Sequence, residues 1–261
     1  MSSIESIIFD WAGTTVDFGS LSPVSAFQEA FRTFGIDATE EETRAPMGML
    51  KIDHIRSMLA MPRICASWKS LRGAEPTETD AQAIYECFEP ALMSVLDRHC
   101  DLKPGLLETV DSLRAMGIKI GSTTGFTRTM MDVVCPIAAA SGYAPDTVVT
   151  ADDVGGIGRP APYMIFENMR RLGITSVTRV VKVGDTVSDI KEAVAAGVIP
   201  VGVIEGSSVM GLSRREWDAL DNDEREAYRE KTRAVFARAG AQFVINRLDD
   251  LPTLIRTMEV R

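Results

Sequence analysis

The stretch "IIFDWAGTTVDFGS" (7–20) ends an apolar run in Asp10 and follows it with a Gly-Thr-Thr turn, setting a carboxylate beside hydroxyl and amide donors. A carboxylate there can attack phosphorus, ligate a metal, or simply cap the turn, and alone it decides nothing. Three further stretches change its weight. "STTG" (122–125) offers hydroxyls, with Thr124 foremost, and a turn at Gly125 suited to phosphate oxygens. "GRPAP" (158–162) sets Arg159, a planar fork of donors, before a proline-started helix. "GDTVSD" (184–189) ends another apolar run in Asp185, with Asp189 about one helical turn later. Two strand-end carboxylates and a phosphate form an oxygen-rich site, for which Mg²⁺ is the fitting metal.

Two residues after Asp10, where a second acid would serve phosphate-ester chemistry, stands Ala12. "MGMLKIDHIRSML" (47–59) carries a different reactive group, Lys51, with His54 three residues on and so on the same helical face. Most helical lysines are solvated, and a lone histidine is as often a packed core group as a proton carrier. Near a phosphoryl site without its acid, however, Lys51 points to amine chemistry. Met47 and Gly48 are expected to shape the pocket, Gly48 by allowing close approach.

These residues need a frame. Apolar, β-branched runs at 6–10, 118–124, 178–185, 199–206 and 241–247 lack alternation and read as strands buried on both faces of a parallel sheet. Helical patterns lie between them, as in "PGLLETVDSLRAMG" and "SDIKEAVAAG", the latter read as starting at a serine cap at 188. Strand–helix alternation predicts a doubly wound, Rossmann-like α/β core from 1–19 and 101–261, with ligands at the C-terminal strand ends. Residues 20–100 are helical without a convincing strand, and are expected to form a cap domain inserted after the first strand. "REWDALDNDEREAYREKTRAVFARAG" reads as a charged, solvated helical stretch.

A net charge of −9 argues against nucleic acid or an anionic membrane as partner. The four cysteines fit no zinc or redox spacing, and neither a signal peptide nor a membrane-length apolar run is evident, so a cytoplasmic location is expected. His99 has no chemical context in the sequence.

In this order the four motifs resemble those of the haloacid dehalogenase-like superfamily. The resemblance implies Asp10 as nucleophile, Thr124 and Arg159 as phosphate holders, and Mg²⁺ on Asp10, Asp185 and the carbonyl of Ala12. Asp189 would orient metal waters or neighbouring groups. Together "FDWAGTTVD", "MGMLKIDH", "GSTTGFTR", "GRPAP" and "KVGDTVSD" are similar to the phosphonatase branch, nearly along the whole chain. That branch implies hydrolysis of the P–C bond of phosphonoacetaldehyde, a small phosphonate, to acetaldehyde and inorganic phosphate. Lys51 would form a Schiff base and Asp10 an aspartyl-phosphate, in a homodimer. A phosphomonoesterase or mutase of the superfamily, or a silent phosphate-binding module, stands as the alternative.

Overall fold

A computed structural model describes residues 4–259. Its strands are β1 (Ser6–Phe9), β2 (Lys119–Thr123), β3 (Thr147–Val149), β4 (Val180–Gly184), β5 (Ile199–Val203) and β6 (Phe243–Ile245). They form one sheet in the order β3-β2-β1-β4-β5-β6, every pairing parallel. All residues of β1 and β4 are buried, which explains their largely apolar sequence, with Ser6 and Lys182 as the polar exceptions. Side chains alternate between two cores: Ile7 and Phe9 enter one, Ile8 the other.

Five helices fill residues 20–100, between β1 and β2: α1 (Leu21–Thr33), α2 (Glu40–Arg44), α3 (Lys51–Leu59), α4 (Pro62–Arg72) and α5 (Glu78–Met93). No strand interrupts them. Phe27, Phe31, Ile55, Met58 and Phe88 pack together and continue into the core under the sheet. The later helices are α6 (Leu106–Ala115), α7 (Arg128–Ala140), α8 (Tyr163–Leu172), α9 (Val187–Ala196), α10 (Arg214–Ala219), α11 (Asn222–Ala239) and α12 (Leu251–Glu259). None among the described residues is long and apolar enough to cross a membrane. Of the core range expected from sequence, residues 1–3 and 260–261 lie outside the described residues.

Four local expectations need correction. β3 was not foreseen, because three half-covered edge residues show no period. Helix α9 is capped by Thr186 rather than by Ser188. Thr186 Oγ1 accepts from Asp189 N at 3.1 Å while Asp189 Oδ2 accepts from Thr186 N at 3.1 Å, a reciprocal box that fixes the start two residues earlier. After "GRPAP" the helix opens at Tyr163, past both prolines. The charged C-terminal stretch is two helices, since Asp221 and Glu224 form a second capping box that breaks it.

The order of the sheet reverses direction between β1 and β4, and ligands of open α/β sheets bind beyond the strand ends at such a point. Phe9 is level with Ser122 on β2 and Val183 on β4. Asp10 and Asp185 therefore leave the sheet side by side.

Candidate active site

Asp10 enters a tight turn in which the amides of Thr14, Thr15 and Val16 all donate to the carbonyl of Trp11. Thr15 Oγ1 adds a bond to the carbonyl of Asp10 at 3.1 Å. Gly13 adopts φ +87°, and a Cβ there would lie 2.1 Å from Asp185 Oδ2, so only glycine lets the turn pack onto that carboxylate. Asp185 accepts from Thr14 Oγ1 at 2.7 Å and from the amide of Ser208 at 2.8 Å.

Asp10, Asp185 and Asp189 bring carboxylate oxygens within 4.8 Å of one another, all buried. Burial first, and then the neighbouring Asp10 and Asp189, push the Asp185 carboxyl well above the usual carboxylate range. Such a group is short of positive charge, and the hard oxygen donors fit a small divalent cation. Asp189 is less available than the others. Its Oδ1 lies 2.9 Å from Arg159 Nη1 and 2.8 Å from Lys182 Nζ, and its Oδ2 serves the α9 cap.

Arg159 is fully enclosed and held from four sides. Its Nη2 donates to Asp10 Oδ1 and to Thr123 Oγ1, both at 2.7 Å. Its Nε meets Glu192 Oε2 at 2.9 Å, and its Nη1 reaches Asp189 and, at 3.4 Å, the carbonyl of Gly48. The guanidinium is therefore a rigid plate fixing the Asp10 carboxylate. Lys182, buried at the middle of β4, adds a second cation to this network. Thr123, Lys182 and Glu192 escaped the sequence reading. A lysine inside "VVKVG" was the available signal, since a charge on a doubly covered strand must be paired. Glu192 shares a helical face with Asp189 three residues before it.

Lys51 opens α3 and is only 3% exposed. Among the described residues its ammonium has no carboxylate within ion-pair distance. It lies instead 4.8 Å from the centre of the Phe126 ring and 5.8 Å from that of Phe27. Burial, with help from Arg159, lowers its pKa to about 8, against the pull of Asp10, Asp17 and Asp185.

Lys51, Asp10, Thr124 and Arg159 line one cavity of about 20 Å³, together with Ala12, Met47, Gly48, Gly125 and three residues not foreseen, Ser20, Phe126 and Thr186. That volume holds a water or two and no substrate. Larger cavities lie elsewhere, and converging polar groups rather than size mark this one. The cover is close-fitting: a Cβ on Gly48 would sit 2.3 Å from Thr186 Oγ1, and one on Gly125 2.5 Å from the carbonyl of Met49. Thr124 Oγ1 accepts from the amide of Phe126 at 3.0 Å, shaping the loop after β2.

His54 does not line the cavity. It stacks on Phe27 at 3.8 Å, wholly buried, and both ring nitrogens lack a hydrogen-bond partner. Burial and then Lys51 hold its pKa well below the ordinary histidine value, so the ring is neutral. His99 has acquired a context that the sequence hid: its Nδ1 lies 3.3 Å from Asp17 Oδ1.

Residues 4–197 match the profile of the haloacid dehalogenase-like hydrolases. The chain belongs to that family. Among haloacid dehalogenase-like relatives, it is 52% identical to a phosphonoacetaldehyde hydrolase of Lysinibacillus sphaericus (strain C3-41) over 255 residues, covering 98% of this chain and 95% of the relative. It is 48% identical to one of Bacillus cereus (strain AH820), with 98% and 97% covered. The crystal structure of a phosphonoacetaldehyde hydrolase like protein from Oleispira antarctica superposes with a TM-score of 0.96 at 40% identity, covering 100% of this chain and 94% of that one.

Proposed function

We propose that this chain hydrolyses phosphonoacetaldehyde to acetaldehyde and inorganic phosphate. The observation that carries the reading is an enclosed, carboxylate-free Lys51 in the same small cavity as Asp10, with Ala12 where an ester-cleaving enzyme would need its acid. The names of the close relatives point the same way.

Direct P–C cleavage would expel a carbanion. Lys51 Nζ, partly neutral near pH 8, attacks the aldehyde carbon; water departs and a protonated imine forms. An Asp10 carboxylate oxygen then attacks phosphorus. The P–C bond breaks, and its electron pair flows into the iminium to leave a neutral enamine on Lys51. Protonation at carbon and hydrolysis release acetaldehyde and restore the amine. A second water cleaves the aspartyl-phosphate to inorganic phosphate and Asp10. Arg159 aims the Asp10 carboxylate throughout, while Thr124 and Gly125 bind phosphoryl oxygens. Met47 and Gly48 close over the aldehyde, while neutral His54, stacked on Phe27 outside the cavity, sets an uncharged group behind the Lys51 amine.

Asp10, Asp185 and the Ala12 carbonyl would hold Mg²⁺, which when bound offsets phosphoryl charge. Asp189, engaged by Arg159 and Lys182, orients rather than ligates. In this reading residues 20–100 are a cap over a core of 1–19 and 101–261, and the enzyme is a cytoplasmic homodimer. Among the described residues, Leu71 on cap helix α4, Ile157 ahead of α8, Tyr163 and Phe166 on α8, and Val194 on α9 are the exposed large apolar residues on which a dimer contact would draw.

The test is acetaldehyde and phosphate release with Mg²⁺, for wild type and Lys51→Arg. The charge-keeping variant should lose activity by about 10³-fold or more. Borohydride with the aldehyde should label Lys51 in the wild type. Full activity in Lys51→Arg, or turnover of simple phosphate esters without labelling, would replace the imine with ester hydrolysis.

A further inference from the structure

A second cavity, of about 190 Å³, lies behind the catalytic turn, between Lys103, the loop after β5, and helices α10 and α11. Five cations line it, Lys103, Arg214, Arg225, Arg229 and Arg247, against two carboxylates, Glu205 and Asp218. In a chain of net charge −9 that concentration is unusual. Three of the arginines have carboxylate partners: Arg214 meets Asp218 at 2.6 Å, Arg229 meets Glu205 at 2.7 Å, and Arg247 meets Asp249 at 2.7 Å. Among the described residues, Lys103 and Arg225 do not. Lys103 Nζ, almost fully buried, donates only to the carbonyls of Gly13, at 2.6 Å, and Glu205. Arg225 donates only to the carbonyls of Trp217 and Asp218, at 3.2 and 3.0 Å.

Donors are left over. An ammonium has three N–H groups and a guanidinium five, so neither Lys103 nor Arg225 is saturated. Arg229 Nε is also buried without a partner. Aromatic rings hold these heads in place: Arg225 and Arg229 lie 5.6 and 5.5 Å from the Trp217 ring, and Lys103 lies 5.6 Å from that of Phe18. Pre-positioned donors around a small void, with Lys103 buried and Arg225 and Arg229 partly so, are what a compact, multiply charged acceptor needs.

We propose that this cavity binds a small tetrahedral oxyanion, inorganic phosphate or a compact phosphonate, at a site separate from the catalytic one. The void has no space for a nucleotide. Lys103 holds the carbonyl of Gly13 while offering its remaining N–H to the anion, so occupancy stiffens the turn that carries Ala12 and packs on Asp185. The inference goes beyond the hydrolytic reading and does not depend on it.

Equilibrium dialysis with labelled inorganic phosphate tests it on the full chain. Wild type should bind one phosphate per chain beyond whatever the catalytic cavity holds, at a site whose affinity Arg225→Gln lowers by about tenfold or more, with kcat and KM little changed. Methylphosphonate competing for the extra phosphate assigns the site to both ligands, and failure to compete assigns it to phosphate. No such extra phosphate in the wild type, or equal affinity for it in the two proteins, overturns the proposal. A crystal of the unmodified chain soaked in selenate gives a reading independent of how the variant folds. An anomalous peak between Lys103 and Arg225 supports the site, and its absence overturns it.

Discussion

Lys51 Nζ rests 4.8 Å from the centre of the Phe126 ring, buried and without a carboxylate at ion-pair distance among the described residues. The aromatic face steadies an ammonium less than a carboxylate would, and it leaves the amine free to lose its proton. The cost falls on folding. Because its pKa is lowered from 10.5 in the unfolded chain to about 8, the unfolded chain binds more protons between those values. Stability contributed by this position therefore rises with pH across that window, and at neutral pH the lysine is destabilising. Lys51→Met should be inactive yet more stable at pH 7, by an amount on the order of 3 kcal/mol that shrinks as pH climbs from 8 to 10.5. Urea melts of both proteins across that range check it, and a variant no more stable than wild type at pH 7 would remove the desolvated amine.

Cover and sheet meet too closely at Gly125 to admit a methyl group, since a Cβ there would press on the carbonyls of Met49 and Gly48 at 2.5 and 2.9 Å. Both obstacles are backbone, so the cover must lift rather than a side chain turn. Gly125→Ala should reduce kcat/KM by about 10²-fold, with little change in the unfolding midpoint. Wild-type kinetics in this variant would mean that catalysis does not need the seated cover.

Asp185 is held well above the usual carboxylate range by burial and by Asp10 and Asp189. A divalent cation would relieve that repulsion. Adding Mg²⁺ should raise the melting temperature of the wild type, by about 2.7 kcal/mol of stability at a hundredfold excess over the dissociation constant. In Asp185→Asn the shift should vanish. Calorimetry with and without chelator measures both, and an unchanged Mg²⁺ response in the variant would place the ion elsewhere.

Asp17 accepts from the amides of Leu21 and Ser22 at the start of α1, at φ +52°, and meets His99 on the return path toward the core. The two connections between the helical insert and the sheet are thus tied together. The bond to Asp17 raises the His99 pKa above 6.5 despite partial burial. A raised folded value gives stability that is full below 6.5 and lost as pH rises through the folded pKa. His99→Gln should therefore be less stable than wild type at about pH 5.5 and equal to it at alkaline pH. Denaturant midpoints at the two pH values decide the matter, and a constant difference would make the contact mere packing.

The sheet was readable because strands covered on both faces are largely apolar, and β1, β2 and β4 lead directly to Asp10, Thr124 and Asp185. β3 was not, because three edge residues are too few to show a period. Candidate residues were legible where side chain and position agreed: Asp10, Thr124 and Asp185 follow strands, Lys51 opens a helix, and Arg159 stands in a loop marked by the prolines of "GRPAP". The supporting charges were harder. Glu192 looks like any polar residue on an amphipathic helix until Arg159, 33 residues away, is seen against it. Ser20 and Phe126 reach the cavity through loop geometry, which leaves no periodic trace. His54 illustrates the reverse: spacing put it on the face of Lys51, but the ring packs on Phe27 behind the amine.

A chamber of about 20 Å³ has implications for traffic as well as for chemistry. A phosphonate substrate is larger than the space, so on the proposed reading each turnover would begin and end with the cover lifted, and that opening can set the clock of the enzyme. While shut, the chamber admits scarcely more solvent than the reaction consumes. On the proposed route, an imine on Lys51 would thereby be shielded from bulk water until phosphorus has passed to Asp10.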